Sequence, residues 1–328
     1  VSQGQLSKQL VRYMQERGMT VVGPLEPLAD QGRAGNVYRF VAAPADDPTS
    51  AKAMTLKTYG ATEAGAEHAR HEWNALVCLL RERCAVPPPY FVEPDMTAFA
   101  CPVVAMDHIP GESLWSTLQE TPGTQRTRLL GEFVRTLVAL HRIQPSTLRG
   151  PAPEGEPLDS LGQEISEIRR DCEGLHAPGM AGVAEWLQEN RNSVHPATDV
   201  IQHRDYHPWN VLVDPDRELW VVDWNWGVGD ARFDVAWTCS LLARSGHDDI
   251  STFVKNDYVR QSGNPLESFS YFEVLATIRW MLNVLLPSRS DAPKGDAALQ
   301  DFRDFLVGPI EQAVRTIRTN TGLHIEVA

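Results

Sequence analysis

Through the first hundred residues, apolar positions fall in short runs. Thr20–Pro24, Asn36–Ala42, Lys52–Thr58 and Cys101–Asp107 are apolar or alternating, and each is bounded by Gly, Pro or Asp. That is the pattern of strands closed by turns. One helical period interrupts them, about Ala64 to Cys84, with Leu76, Leu79 and Leu80 on one face. Val1–Gly18 reads as a polar helix, helical over 4–18, without the apolar middle of a signal peptide. The order strand, strand, strand, helix, strand predicts a small antiparallel sheet with one helix packed on it. Near residue 108 the period changes. Leu129-Leu130, Phe133-Val134, Leu137-Val138 and Leu140 recur at helical spacing. Helices are expected over 124–143, 158–174, 179–192, 231–244, 250–261, 266–286 and 295–320. Val200–Val222 is the exception and reads as short strands joined by turns. The Pro-rich stretches Pro87–Pro94 and Pro145–Pro157 read as loops. The fold class expected is α+β, with a first lobe over 1–107 and a larger, mainly helical lobe over 108–328.

Composition narrows the function classes. With 328 residues, 42% hydrophobic and 22% charged, the chain can bury a core in each lobe. No uninterrupted apolar run approaches the ~20 residues of a membrane span. The five cysteines, Cys78, Cys84, Cys101, Cys172 and Cys239, are scattered and form no Cys-x-x-Cys pair. A reducing, cytoplasmic setting fits them, and disulfides or structural zinc do not. The net charge of −13 argues against nucleic acid or an anionic membrane as partner. Nearly all of that charge lies beyond residue 100. It suits a cationic small-molecule acceptor and serves solubility equally well. None of this sets an oligomeric state.

The segment richest in chemistry is His203-Arg204-Asp205-Tyr206-His207-Pro208-Trp209-Asn210, followed by Val211-Leu212-Val213, a turn at Asp214-Pro215-Asp216, and Val221-Val222-Asp223. Strand, turn and strand make a hairpin, which returns Asn210 and Asp223 to one end. Two oxygen ligands there can hold a hard cation such as Mg²⁺, which takes few protein ligands and otherwise water and phosphate. Asp205 lies just before, on the loop, where it can meet an incoming hydroxyl. Phosphoryl transfer needs a metal, an oriented nucleophile and a cradle for phosphates. The spacing supplies the first two.

This segment resembles the catalytic and metal-binding loops of the aminoglycoside phosphotransferase family, which shares a protein-kinase-like two-lobed fold with choline and homoserine kinases. The resemblance implies a catalytic loop at 203–210 with Asp205 as base, supported by His203. It implies a metal loop at 223–230, with Asn210 and Asp223 as Mg²⁺ ligands. Further landmarks follow in order. Lys57, ending an apolar strand, matches the lysine that meets the phosphates of ATP or GTP, and Glu72 on the next helix matches its partner. Gln31-Gly32-Arg33-Ala34-Gly35-Asn36 matches the phosphate loop, with Gly32, Gly35 and Asn36 near the nucleotide. Met106-Asp107-His108-Ile109 matches the hinge, where backbone groups of Asp107 and Ile109 would bond adenine. Asp234 matches the aspartate that anchors the catalytic-loop backbone. Arg204 reads as structural or substrate-side. His207 and Trp209 read as packing residues, and His68 and His71 as exposed and idle.

The function implied is transfer of the γ-phosphoryl group to a hydroxyl of a small molecule. An aminoglycoside-type antibiotic, with resistance as the outcome, is one acceptor class. Choline, homoserine or sugar kinases of ordinary metabolism are the alternative. A nucleotide-binding pseudokinase is disfavoured by the intact Lys57, Glu72, Asp205, Asn210 and Asp223. Asp159, Glu164, Glu167, Glu185, Glu189, Glu267 and Glu273 could meet a polyamine, and Trp224, Trp226 and Trp237 could meet a quaternary amine.

Overall fold

The computed structural model describes residues 2–28, 36–149, 159–175, 178–289 and 297–325. Ser2 starts the first helix by accepting the Gln5 N–H on its hydroxyl. This helix, α1 (Gln3–Gln15), buries Leu6, Leu10, Tyr13 and Met14. Three antiparallel strands follow: β1 (Met19–Pro27), β2 (Val37–Pro44) and β3 (Lys52–Thr58). Helix α2 (Glu63–Arg81) begins at Thr62, whose hydroxyl accepts the Gly65 N–H at 3.1 Å. Strands β4 (Pro89–Glu93) and β5 (Val103–Asp107) complete a sheet of order β1-β2-β3-β5-β4.

Alternation along β3 decides what each face carries. Met54 and Leu56 join a core with Phe40, Val103, Ala105 and the buried side chains of α1. Lys57 falls on the other face, the one that meets α2. Two helices therefore attend this sheet, where the pattern predicted one packed on it. Strand β4 is a second departure, because Pro87–Pro94 reads as a loop in sequence. Pro89 opens an edge strand, where a missing N–H costs no ladder bond, and the register shifts between Pro89 and Phe91.

Beyond the sheet come β6 (Glu112–Ser113) and α3 (Leu114–Glu120), a helix the periodicity misses because it spans only seven residues. Next are α4 (Gly123–His141), α5 (Ser146–Arg149), α6 (Ser160–Leu175) and α7 (Pro178–Asn190). Then come β7 (Asp199–Gln202), β8 (Val211–Val213), β9 (Leu219–Val221) and β10 (Gly227–Asp230). The chain continues with α8 (Ala231–Arg244), α9 (Asp248–Ser262), α10 (Phe269–Arg289) and α11 (Ala297–Thr321). β6, β8 and β9 form one small sheet, and β7 with β10 another. Gly111, just before β6, permits close approach, since a Cβ there would meet the Val213 carbonyl oxygen at 2.3 Å.

Contacts divide the chain into two units. One is Val1–Glu120 with Pro208–Trp226, the other Thr121–His207 with Gly227–Ala328. The hairpin 208–226, which composition places in the second lobe, thus packs with the first unit. Val221 N–H donates to the Ala85 carbonyl at 2.9 Å, and Ser113 pairs with Leu212. No helix among the described residues is long and apolar enough to cross a membrane. All five cysteines are free thiols.

Candidate active site

In the first unit, strand register places Lys57 opposite Val37 on one side and Val104 on the other. Its ammonium lies 2.7 Å from Glu72 Oε2 and 2.5 Å from Asp223 Oδ1. Burial alone would push the Lys57 pKa down. The Glu72 and Asp223 carboxylates outweigh burial and hold it above the usual lysine value. Tyr59 donates its hydroxyl to the same Glu72 oxygen. Burial and the Glu72 charge keep that phenol protonated far above its ordinary range. Tyr59 carries no signal in the sequence beyond its place two residues after Lys57.

Asn210 and Asp223 stand at one end of the β8–β9 hairpin, where Val222 N–H donates to the Asn210 carbonyl at 3.0 Å. Asn210 is buried, whereas the Asp223 side chain keeps 36% of its exposure. Asp223 also adopts a left-handed backbone, φ 61°. An amide oxygen and a carboxylate carried at one end of a hairpin are hard donors of the kind Mg²⁺ accepts, and two protein ligands suffice for it. No cage of three or more His, Cys, Asp or Glu occurs among the described residues. As hard donors, the Asn210 amide and the Asp223 carboxylate fit a metal whose shell is completed by phosphate and water.

Elsewhere in this unit, Asn36 precedes β2, and its carbonyl accepts the Thr58 N–H at 2.9 Å, beside Lys57. Asp107 ends β5, with its N–H on the Pro88 carbonyl and its carboxylate on Lys52 at 2.6 Å. Ile109 is buried. Gly32 and Gly35 lie outside the described residues. Trp209 stacks on Trp115, centroids 4.6 Å apart. His71 is half-buried against Trp226, not exposed and idle.

The second unit holds Asp205. The loop before it hangs from Asp234, which is fully buried. Asp234 accepts the His203 N–H at 2.7 Å and the Arg204 N–H at 2.9 Å, with His141 Nε2 at 3.2 Å. The Asp205 N–H donates to His203 Nδ1 at 3.2 Å, which makes Nδ1 the unprotonated nitrogen. Thr238 donates its hydroxyl to the Tyr206 carbonyl at 2.6 Å. The Asp205 carboxylate receives the Trp237 indole N–H at 3.0 Å and has His207 Nε2 at 3.3 Å. Its side chain remains 38% exposed. So Trp237 serves the carboxylate rather than standing as an unengaged aromatic face. The sequence held no signal for this except Trp237's place three residues after Asp234 on one helix.

Arg204 takes a left-handed backbone, φ 67°, and turns its guanidinium onto Glu164 of α6. Gly227 leaves room for it, because a Cβ there would meet Arg204 Cδ at 2.8 Å. Glu164 also accepts from Arg279 Nε at 2.7 Å, and Arg279 reaches Glu167 and Asp171 at 3.1 Å each. Asp159 pairs with Arg191 at 2.5 Å. Asp159, Glu164, Glu167 and Asp171 are thus each matched by an arginine within the unit.

A model of the phosphotransferase enzyme family, APH, matches residues 31–270. No curated protein sequence matches the chain. Among solved structures, a thermostable mutant of aminoglycoside phosphotransferase APH(4)-Ia superposes with a TM-score of 0.65 at 16% identity, over 96% of this chain and 99% of that one. Choline kinase LicA from Streptococcus pneumoniae gives 0.62 at 14% identity, over 95% and 98%. Spectinomycin phosphotransferase APH(9)-Ia, in complex with ADP and spectinomycin, gives 0.59 at 11%, over 94% and 98%. At such identities the likeness is one of fold, the protein-kinase-like α+β arrangement.

Proposed function

Because the chain belongs to the phosphotransferase enzyme family, we propose that it moves the γ-phosphoryl group of ATP or GTP to a hydroxyl of a small molecule. The observation that carries this reading is Lys57, buried and held between Glu72 and Asp223. A lysine kept charged in a buried setting can meet phosphate oxygens without first paying to lose its own water. Glu72 keeps its position while the phosphates engage it.

Asn210 and Asp223 would hold Mg²⁺, which when bound supplies charge neutralisation on the phosphate oxygens. Asp205 would accept a hydrogen bond from the acceptor hydroxyl and take its proton as the phosphoryl group leaves. The Trp237 N–H fixes the direction of that carboxylate. Asp234, through two backbone N–H groups, fixes the loop that carries it.

On the acceptor, one observation weighs against a polycation held by the carboxylates of α6 and its start. Asp159, Glu164, Glu167 and Asp171 already have arginine partners. A polycation would have to displace those arginines to gain the same carboxylates.

The test pairs two substitutions. Asp205→Asn should lower kcat about 10²–10⁴-fold, the usual share of a general base, and leave nucleotide Kd unchanged. Asp223→Ala should abolish turnover and remove the dependence of nucleotide binding on Mg²⁺. Wild-type turnover by Asp223→Ala at ordinary Mg²⁺ refutes the metal assignment. Lost nucleotide binding in a folded Asp205→Asn chain makes Asp205 a metal ligand instead.

A further inference from the structure

His71 and Trp226 hold each other by three contacts within the first unit. His71 Nε2 lies 2.8 Å from the Trp226 carbonyl oxygen. A carbonyl only accepts, so Nε2 carries the proton. The Trp226 indole N–H donates to the His71 carbonyl at 3.1 Å. The two rings stack with centroids 4.5 Å apart and planes 5° from parallel. Trp226 is buried.

These contacts tie α2 to a point three residues beyond Asp223. Lys57 makes a second tie between the same two segments, from Glu72 to Asp223. The two ties differ in what a nucleotide does to them. For Lys57 to turn to phosphate and Asp223 to a metal, their 2.5 Å pair must open. The contact of His71 with Trp226 uses neither charge and can stay closed.

We propose that His71 is a positioning residue: its contact with Trp226 keeps Asp223 in place beside α2 once the Lys57–Asp223 pair opens to a metal–nucleotide. The inference rests on the reading of Asp223 as a metal ligand. It requires no change in the Lys57–Glu72 pair.

The experiment is calorimetric titration of the full chain with ADP, once with Mg²⁺ and once in EDTA. The ratio of the two affinities is the tightening due to metal. His71→Phe keeps a ring for stacking and loses the N–H. It should lose about tenfold of the tightening, the worth of roughly one net hydrogen bond. Affinity in EDTA should stay that of the wild type. Trp226→Phe should behave alike, and His71→Gln, which restores an N–H donor, should recover most of the loss. Thermal unfolding of each apo variant checks that it is folded. If His71→Phe does not fold, Trp226→Phe and His71→Gln carry the same comparison. Wild-type tightening in the folded His71 and Trp226 variants overturns the proposal, and so does an equal loss with and without Mg²⁺. A wild-type chain that binds ADP equally well in Mg²⁺ and EDTA overturns the metal reading, and the role of His71 with it.

Discussion

Single side chains here are governed by whether a buried charge has partners. Asp234 is fully buried and tolerable because two backbone N–H groups and an imidazole surround it. Lys57 is buried between two carboxylates. Arg244, in the last turn of α8, is the contrast. Its guanidinium lies over Trp280, 4.3 Å from the ring centroid, with Nε and Nη2 sealed from solvent and without a hydrogen-bond partner among the described residues. Burial pushes its pKa down to about 9. Arg244→Met should therefore stabilise the chain. The expected gain is ~1–3 kcal/mol from removing unsatisfied buried donors, less the ~0.3–1 kcal/mol a cation contributes at a helix C-terminus. Urea unfolding measures it, and a lower midpoint in the variant would show that the guanidinium has a stabilising role.

At the scale of elements, one carboxylate links three of them. Glu164 of α6 takes Arg204 from the loop after β7 and Arg279 from α10. All three side chains are at least three-quarters buried. Glu164→Gln would leave two guanidinium groups facing each other, and should cost about 3–5 kcal/mol of stability. Glu167 touches the same Arg279 but is 47% exposed. Glu167→Gln should cost no more than ~1 kcal/mol, as exposed pairs do. Equal losses in the two variants, compared by urea unfolding, would disprove this assignment. The sequence showed both residues as acidic positions on a helix face. It could not show which one faced two arginines, because Arg279 lies more than a hundred residues away in the chain.

For the whole molecule, the division into two units follows contacts rather than chain order. The first unit is not a continuous stretch, since residues 208–226 return to it. Strand β6 finds its partner in β8, and Ala85 finds its donor in Val221. A fragment of residues 1–120 would leave β6 unpaired and uncover Leu114 and Leu118, both buried in the full chain. That fragment should unfold without a cooperative thermal transition, whereas the intact chain should show one. A sharp transition in the fragment, followed by circular dichroism, would mean that the sheet and its two helices are self-sufficient.

Much was already settled by local pattern. Strand alternation over 36–42 and 52–58 and helical spacing over 124–143 and 231–244 depend on near neighbours, and those elements appear in the structure close to their expected bounds. The hairpin between Asn210 and Asp223 was legible for the same reason, because a turn with a strand on each side must return its ends to one place. Lys57 and Glu72 were marked by order along the chain, and the structure adds that one ammonium serves both Glu72 and Asp223. What folding alone decided are contacts between distant segments: Trp237 on Asp205, His71 with Trp226, and Glu164 between Arg204 and Arg279. Periodicity tells which face of an element is buried, but not which residue of another element meets it. That pairing is fixed only when the packed core sets the elements' register, so it leaves no trace in any single stretch of sequence.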